Sequence, residues 1–209
     1  MQSNSVTIEI VQPKLFTTGA VAVVSAYGLL LAAPIFTSML VVSVIGYGIL
    51  TVLIPLLVVA ATAYFLPFGL GNTHVTRLVQ SLNPAAGKSD DGFIVQLTLS
   101  PRIRSGLRAI LEDADDIGYL SFTPTELRFQ GDSVQLSIPF DQIQQVRPQN
   151  IGLRGLFLYG RRIKVVASGL PQITSFAFAE RSSWLLPTSR AITRKMYQRL
   201  STSVSPKTS

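Results

Sequence analysis

The chain contains no cysteine. Disulfides, thiolate metal sites and a cysteine nucleophile are therefore excluded. It has a single histidine, His74. Alone beside a long apolar stretch, that side chain reads as a boundary residue. Charge is scarce too: 11 Asp and Glu stand against 18 Lys and Arg in 209 residues, a net charge of +7. Such a balance suits nucleic acid, an anionic lipid surface, or solubility alone. The scarcity is uneven, because no Asp, Glu, Lys or Arg lies between Lys14 and Arg77.

About 20 apolar residues suffice for a helix to cross a bilayer, so the uncharged stretch has length for two crossings. The sequence predicts a polar tail over 1–14, readable also as a single added strand, and two transmembrane helices near 15–36 and 38–67. Pro34 marks the end of the first, and Pro55 kinks the second. Ala32 and Ala33 could imitate a signal-peptide cleavage site, but a second apolar stretch follows at once and favours a helical hairpin. Arginines follow the second span and the short connection is uncharged. The positive-inside rule then predicts an integral protein of the inner or plasma membrane with its C-terminal part in the cytoplasm.

Residues 70–92 read as a juxtamembrane helix and linker. Val75, Leu78, Val79 and Leu82 recur at helical spacing, Asn72 or Thr73 is the expected N-cap, and Pro84 the stop. Such a helix would lie at the membrane interface. From Phe93 the pattern turns to alternation: "FIVQLTL", "GYLSF", "ELRF", "VQLSIPF", "RIKVVA" and "SFAFA" are short runs rich in β-branched and aromatic residues. Turn residues at Pro124–Glu126 and Gly131–Ser133 separate them. "LPTSRAITRKMYQRL" stacks Ile192, Met196 and Leu200 on one helical face, and 201–209 reads as a disordered tail.

Within 93–200, Gly118 to Val146 carries Thr123, Leu127 and Phe129 in a T-x-x-x-L-x-F run. Ile138, Pro139, Phe140, Ile143 and Val146 then form an I-P-hydrophobic-x-x-I segment leading to Val. This resembles the opening of bacterial PH-like and GRAM-like domains. The resemblance implies an α+β fold, an antiparallel β-barrel or sandwich capped by a C-terminal helix. With the apolar stretch, the expected architecture is a transmembrane helical hairpin followed by that domain.

Three basic groups are candidates for binding lipid headgroups or other anions. Arg102, Arg104 and Arg108 fall between the first two strands of the domain, where PH-like domains commonly hold headgroups, although "IGYLSF" lacks the basic residues of the usual motif. Arg154, Arg161, Arg162 and Lys164 frame the apolar run 156–159, which could enter a bilayer or form a strand. Arg190, Arg194, Lys195 and Arg199 lie opposite the apolar face of the last helix, facing either solvent or an anionic leaflet.

Signals for chemistry are weak. Glu112 to Asp116 cluster four carboxylates without the spacing of a calcium loop, and read as a helix end in solvent. Gly87-Lys88-Ser89 lacks the earlier glycine of a P-loop, since Leu82 occupies its place. No enzyme, cofactor or metal is expected, and no nucleic-acid motif is present. The expected role is binding at a membrane: anionic headgroups, a protein partner, or further copies of the chain. Gly19, Gly28, Gly46 and Gly48 would allow close helix approach in an assembling subunit.

Overall fold

A computed structural model describes residues 6–11, 29, 32–44, 48–66, 71–84, 92–103, 114–150, 161–169 and 173–204. Eight antiparallel strands form one sheet: β1 (Thr7–Ile10), β2 (Gly92–Ser100), β3 (Asp116–Phe122), β4 (Glu126–Gly131), β5 (Val134–Pro139), β6 (Ile143–Gln149), β7 (Arg162–Ala167) and β8 (Ser175–Glu180). Their order is β1-β5-β4-β3-β2-β8-β7-β6. Helices are α1 (Ile49–Leu66), α2 (Asn72–Leu82) and α3 (Leu186–Val204), and residues 32–44 are also helical.

The sheet curls around one core. Val95, Leu97, Leu120, Phe129, Ile138, Ile163, Val165, Phe176 and Phe178 point to its inner face, joined there by Met196 and Leu200 of α3. Each such side chain contributes roughly 1.5–3 kcal/mol by leaving water. The turns follow local chemistry. Thr123 Oγ1 accepts from the Glu126 amide at 3.0 Å and closes the β3–β4 connection. At the β4–β5 connection, Asp116 Oδ2 accepts from the amides of Ser133 and Val134 at 2.9 and 2.7 Å. A Cβ on Gly131 would lie 2.0 Å from that carboxylate oxygen, so this turn requires glycine.

β2 is buried on both faces. Phe93, Val95, Leu97 and Leu99 face the inner core, while Ile94 meets Ile117 and Tyr119 in a second cluster outside. α2 covers that cluster with Val75, Leu78 and Val79. Asn72, buried, donates from Nδ2 to the Ser183 carbonyl at 2.6 Å and ties the start of α2 to the loop before α3.

Several expectations are corrected here. The second span, 38–67, is not one continuous helix, because Gly48 is non-helical before α1 begins at Ile49. α1 is apolar on all sides, but its 18 residues rise only about 27 Å, under the roughly 30 Å of a hydrocarbon core, and contain Pro55. Among the described residues no helix is long and apolar enough to cross a membrane. The transmembrane hairpin and the integral inner- or plasma-membrane placement are overturned on that finding. The first span, 15–36, falls mostly outside the described residues.

The closed barrel or two-sheet sandwich is likewise replaced by a single curled half-barrel sheet, with β1 and β6 at its two edges. At one edge, residues 7–10 are the single added strand that the sequence also allowed, seated on the free side of β5. α2 does not lie at an interface, because its apolar face has the outer side of β2 and β3 to cover. Gly71, not Asn72 or Thr73, is its N-cap. The last helix continues past Leu200 to Val204, which packs on the core, so 201–204 are helix and not the disordered tail that their polar composition suggests.

Candidate basic cleft between the last helix and the sheet

α3 lies across the inner face of the sheet with Leu186, Ser189, Thr193, Met196 and Leu200 buried. Residues one helical step to the side of that stripe, Arg190, Arg194, Tyr197 and Gln198, look along the sheet toward β6 and β7. Arg161 enters from the residue before β7. By period-2 alternation it shares a face with Ile163 and Val165, the inner face, and so points toward α3.

These side chains line a cleft of about 490 Å³, floored by Pro148 and Ile163, whose strands pair at those two residues. Three arginines thus line one cleft together with Tyr197, Thr193 and Gln198, and no carboxylate is among the described lining residues. Arg190 and Arg194 stand at i and i+4, a like-charge spacing that costs a few tenths of a kcal/mol in a helix unless a counter-charge is present. Guanidinium forks match phosphate and carboxylate geometry, and the phenol, hydroxyl and amide can share the remaining acceptor sites.

The candidate groups taken from sequence are divided differently by the fold. Arg190 and Arg194 come together with Arg161, which sequence placed in another group. Arg199 leaves its helical neighbours and stacks 4.8 Å above the Phe122 ring on the opposite flank. Lys195 is exposed and does not line the cleft. Arg162 and Lys164 take the face of β7 away from Ile163; Arg162 is buried, and Lys164 sits in register with Arg147 of β6. Arg102 is exposed just after β2 and away from the cleft lining. Arg104, Arg108 and Arg154 lie outside the described residues.

Thr193, Tyr197 and Gln198 were not singled out by sequence. Their signal was available in the helical spacing, since 197 and 198 fall one turn beyond Arg194. Pro148 and Ile163 carried none, because a floor made by two paired strands is a tertiary feature.

The carboxylates of 112–116 do not converge on a site. Asp115 is buried and accepts from the amides of Leu99 and Ile103 at 2.7 and 3.0 Å. Asp116 is buried against the β4–β5 turn, where loss of water pushes its carboxyl from 3.8 up to about 6 despite the amide hydrogen bonds that oppose the rise. Both therefore hold backbone together instead of ending a helix in solvent, and Glu112 and Asp113 lie outside the described residues. Glu180, also buried, accepts from the amides of Ser182 and Ser183 and from both hydroxyls, fixing the loop that leads into α3. No protein-family model matches the chain, and no match is found among curated proteins.

Proposed function

We propose that the chain is a PH-like binding module that recognises anionic lipid headgroups at a membrane surface, through the cleft of Arg161, Arg190 and Arg194. Three arginines lining one cleft, with no carboxylate among its described lining residues, carry this reading. Two further features support it. α3 and the loop before it, residues 181–204, hold five cations and no acid: Arg181, Arg190, Arg194, Lys195 and Arg199. The resemblance around Thr123, Leu127, Phe129 and Ile138–Ile143 points the same way, and in the fold these residues build β4, β5 and the turns beside them.

Three arginines at an anionic headgroup contribute about 3 kcal/mol together, roughly a hundredfold in affinity. The test is titration of a short-chain anionic phospholipid into the full chain held in uncharged detergent, compared with the triple replacement Arg161→Ala, Arg190→Ala, Arg194→Ala. The reading expects tight binding by the unmodified chain, a loss near a hundredfold in the variant, and no binding of a short-chain phosphatidylcholine. Equal binding by both chains, or none by either, refutes it.

A second reading is assembly with a protein partner or with further copies of the chain. An apolar groove shared by Ile35, Met39 and Val42 with Val52, Leu56 and Val59 of α1 favours it. The mass of the detergent-solubilised particle separates the two, a strictly monomeric particle counting against self-assembly.

A further inference from the structure

The two edges of the sheet are not alike. β6 is blunted: its register on β7 shifts between Ile143 and Gln145, and Pro148 brings no amide to a ladder. Features of this kind keep an edge from pairing with another chain. β1 has none of them, since Thr7–Ile10 holds no proline and no lysine and runs in unbroken register along β5. It also carries Ile10, an isoleucine 60 % exposed.

The parity of the β1–β5 ladder fixes which backbone groups face outward. Val11 donates to the Ser133 carbonyl at 2.7 Å, one step beyond the Ile10–Val134 pair in the same register. Opposite residues of an antiparallel ladder alternate between exchanging both hydrogen bonds and exchanging none. Glu9 and Thr7, two and four residues before Val11, therefore bond to β5, whereas the N–H and C=O of Ile8 and Ile10 point away from it. These groups form a row along the outer side of β1, and no strand lies beyond it among the described residues.

We infer that β1 is a self-association edge, which pairs antiparallel with β1 of a second copy about a two-fold axis through Ile8. Self-complementarity selects both the occupant and the register. Two copies of β1 overlap most when the axis passes through Ile8 or through Glu9. The Glu9-centred register sets two carboxylates directly opposite one another, which is destabilising. The Ile8-centred register sets the Thr7 hydroxyl against the Glu9 carboxylate of the second copy, once on each side of the axis. It also lays the two Ile8 residues face to face and brings exposed Ile10 beside Val6 of the second copy. Ile8 then exchanges both its bonds across the axis, as its outward groups require. The inference uses neither the basic cleft nor the apolar groove of α1.

The chain has no cysteine, so introduced ones report alone. Thr7→Cys and Glu9→Cys, both at exposed positions, are made in the full chain held in uncharged detergent. Opposite residues that exchange no bonds have Cα atoms about 4.5 Å apart, within reach of a disulfide. Under mild oxidation an equimolar mixture of the two variants should give at least three times the covalent dimer of either variant alone. The unmodified chain should have the mass of a dimer. Ile10→Pro, which removes an amide that faces away from β5, should return it to a monomer with unchanged far-ultraviolet circular dichroism, and Ile10→Lys should do so by placing charge on the edge. A monomeric unmodified chain overturns the inference, as does a dimer that both Ile10 variants leave intact, which assigns association to another surface. Cross-linking strongest in Glu9→Cys or Thr7→Cys alone overturns the register and with it the self-complementary edge. Titration of the short-chain anionic phospholipid into Ile10→Pro keeps failure here distinct from failure of the lipid reading, since the cleft is untouched.

Discussion

Raising the pH from about 4 to about 7 should weaken the fold through one carboxyl group, Asp116. The side chain is fully buried beneath the β4–β5 turn, with Oδ2 bonded to two amides and Oδ1 without a hydrogen-bond partner. Burial raises its folded value from 3.8 to about 6. In that window the native state keeps a proton that the unfolded chain has released, so stability falls as pH rises. The stabilisation is fully present below the unfolded value and is lost as pH passes the folded one. At ~1.4 kcal/mol for each pH unit, the whole window is worth roughly 3 kcal/mol. Asp116→Asn keeps an oxygen for the amides of Ser133 and Val134 and cannot ionise, so it imitates the protonated acid. Urea unfolding in mild detergent, followed by circular dichroism of the sheet, should show the two proteins converging near pH 4. By pH 7 the variant should be the more stable by up to about 3 kcal/mol. A difference between them that stays constant with pH would refute the reasoning, whatever its size.

Three packing predictions follow from the same core. Gly131→Ala places a methyl 2.0 Å from Asp116 Oδ2 and 2.6 Å from Phe129 Cε1, both buried, and should lower stability by about 1–3 kcal/mol in the same urea assay. Met196→Ala removes a fully buried side chain by which α3 holds the sheet; a loss of roughly 2–5 kcal/mol and a lower thermal midpoint are expected. Val79→Asp buries an unpaired charge between α2 and the outer cluster of Ile94, Ile117 and Tyr119. Hydrogen exchange should then speed up across 72–82 while β5, β7 and β8 remain protected, since α2 covers only the outer face.

The strands of the module were legible because each has one face in the core and turn residues at its ends. Leu127 and Phe129, like Leu136 and Ile138, alternate with exposed or half-buried partners, and Pro139 ends β5 where the missing amide predicts. β1 was only an alternative reading, because "TIEI" is short and gains its partner from β5, more than a hundred residues away. The outer cluster was hidden by the same alternation that revealed the inner one. Residues such as Ile94 and Tyr119 read as surface until α2 is known to cover them. Hydropathy identified the uncharged stretch but not its division, since it does not register the non-helical Gly48. Of the cleft, the cations on α3 were visible as a basic face; which of them act together was not, because Arg161 joins Arg190 and Arg194 only through the packing of α3 on β7. Arg199 looked equivalent to them until Phe122 claimed it.

The uncharged stretch is fastened to one body at both ends. Val11 donates to the Ser133 carbonyl as the chain leaves β1, and Asn72 donates to Ser183 as the chain returns. The chain is thus tied to the sheet at Val11 and tied again at Asn72. Two attachment points resist rotation of the sheet about either tie where one would allow it. A single cut within the uncharged stretch would not release the N-terminal fragment, because β1 remains seated along four residue pairs of β5 with Val6 buried in the core.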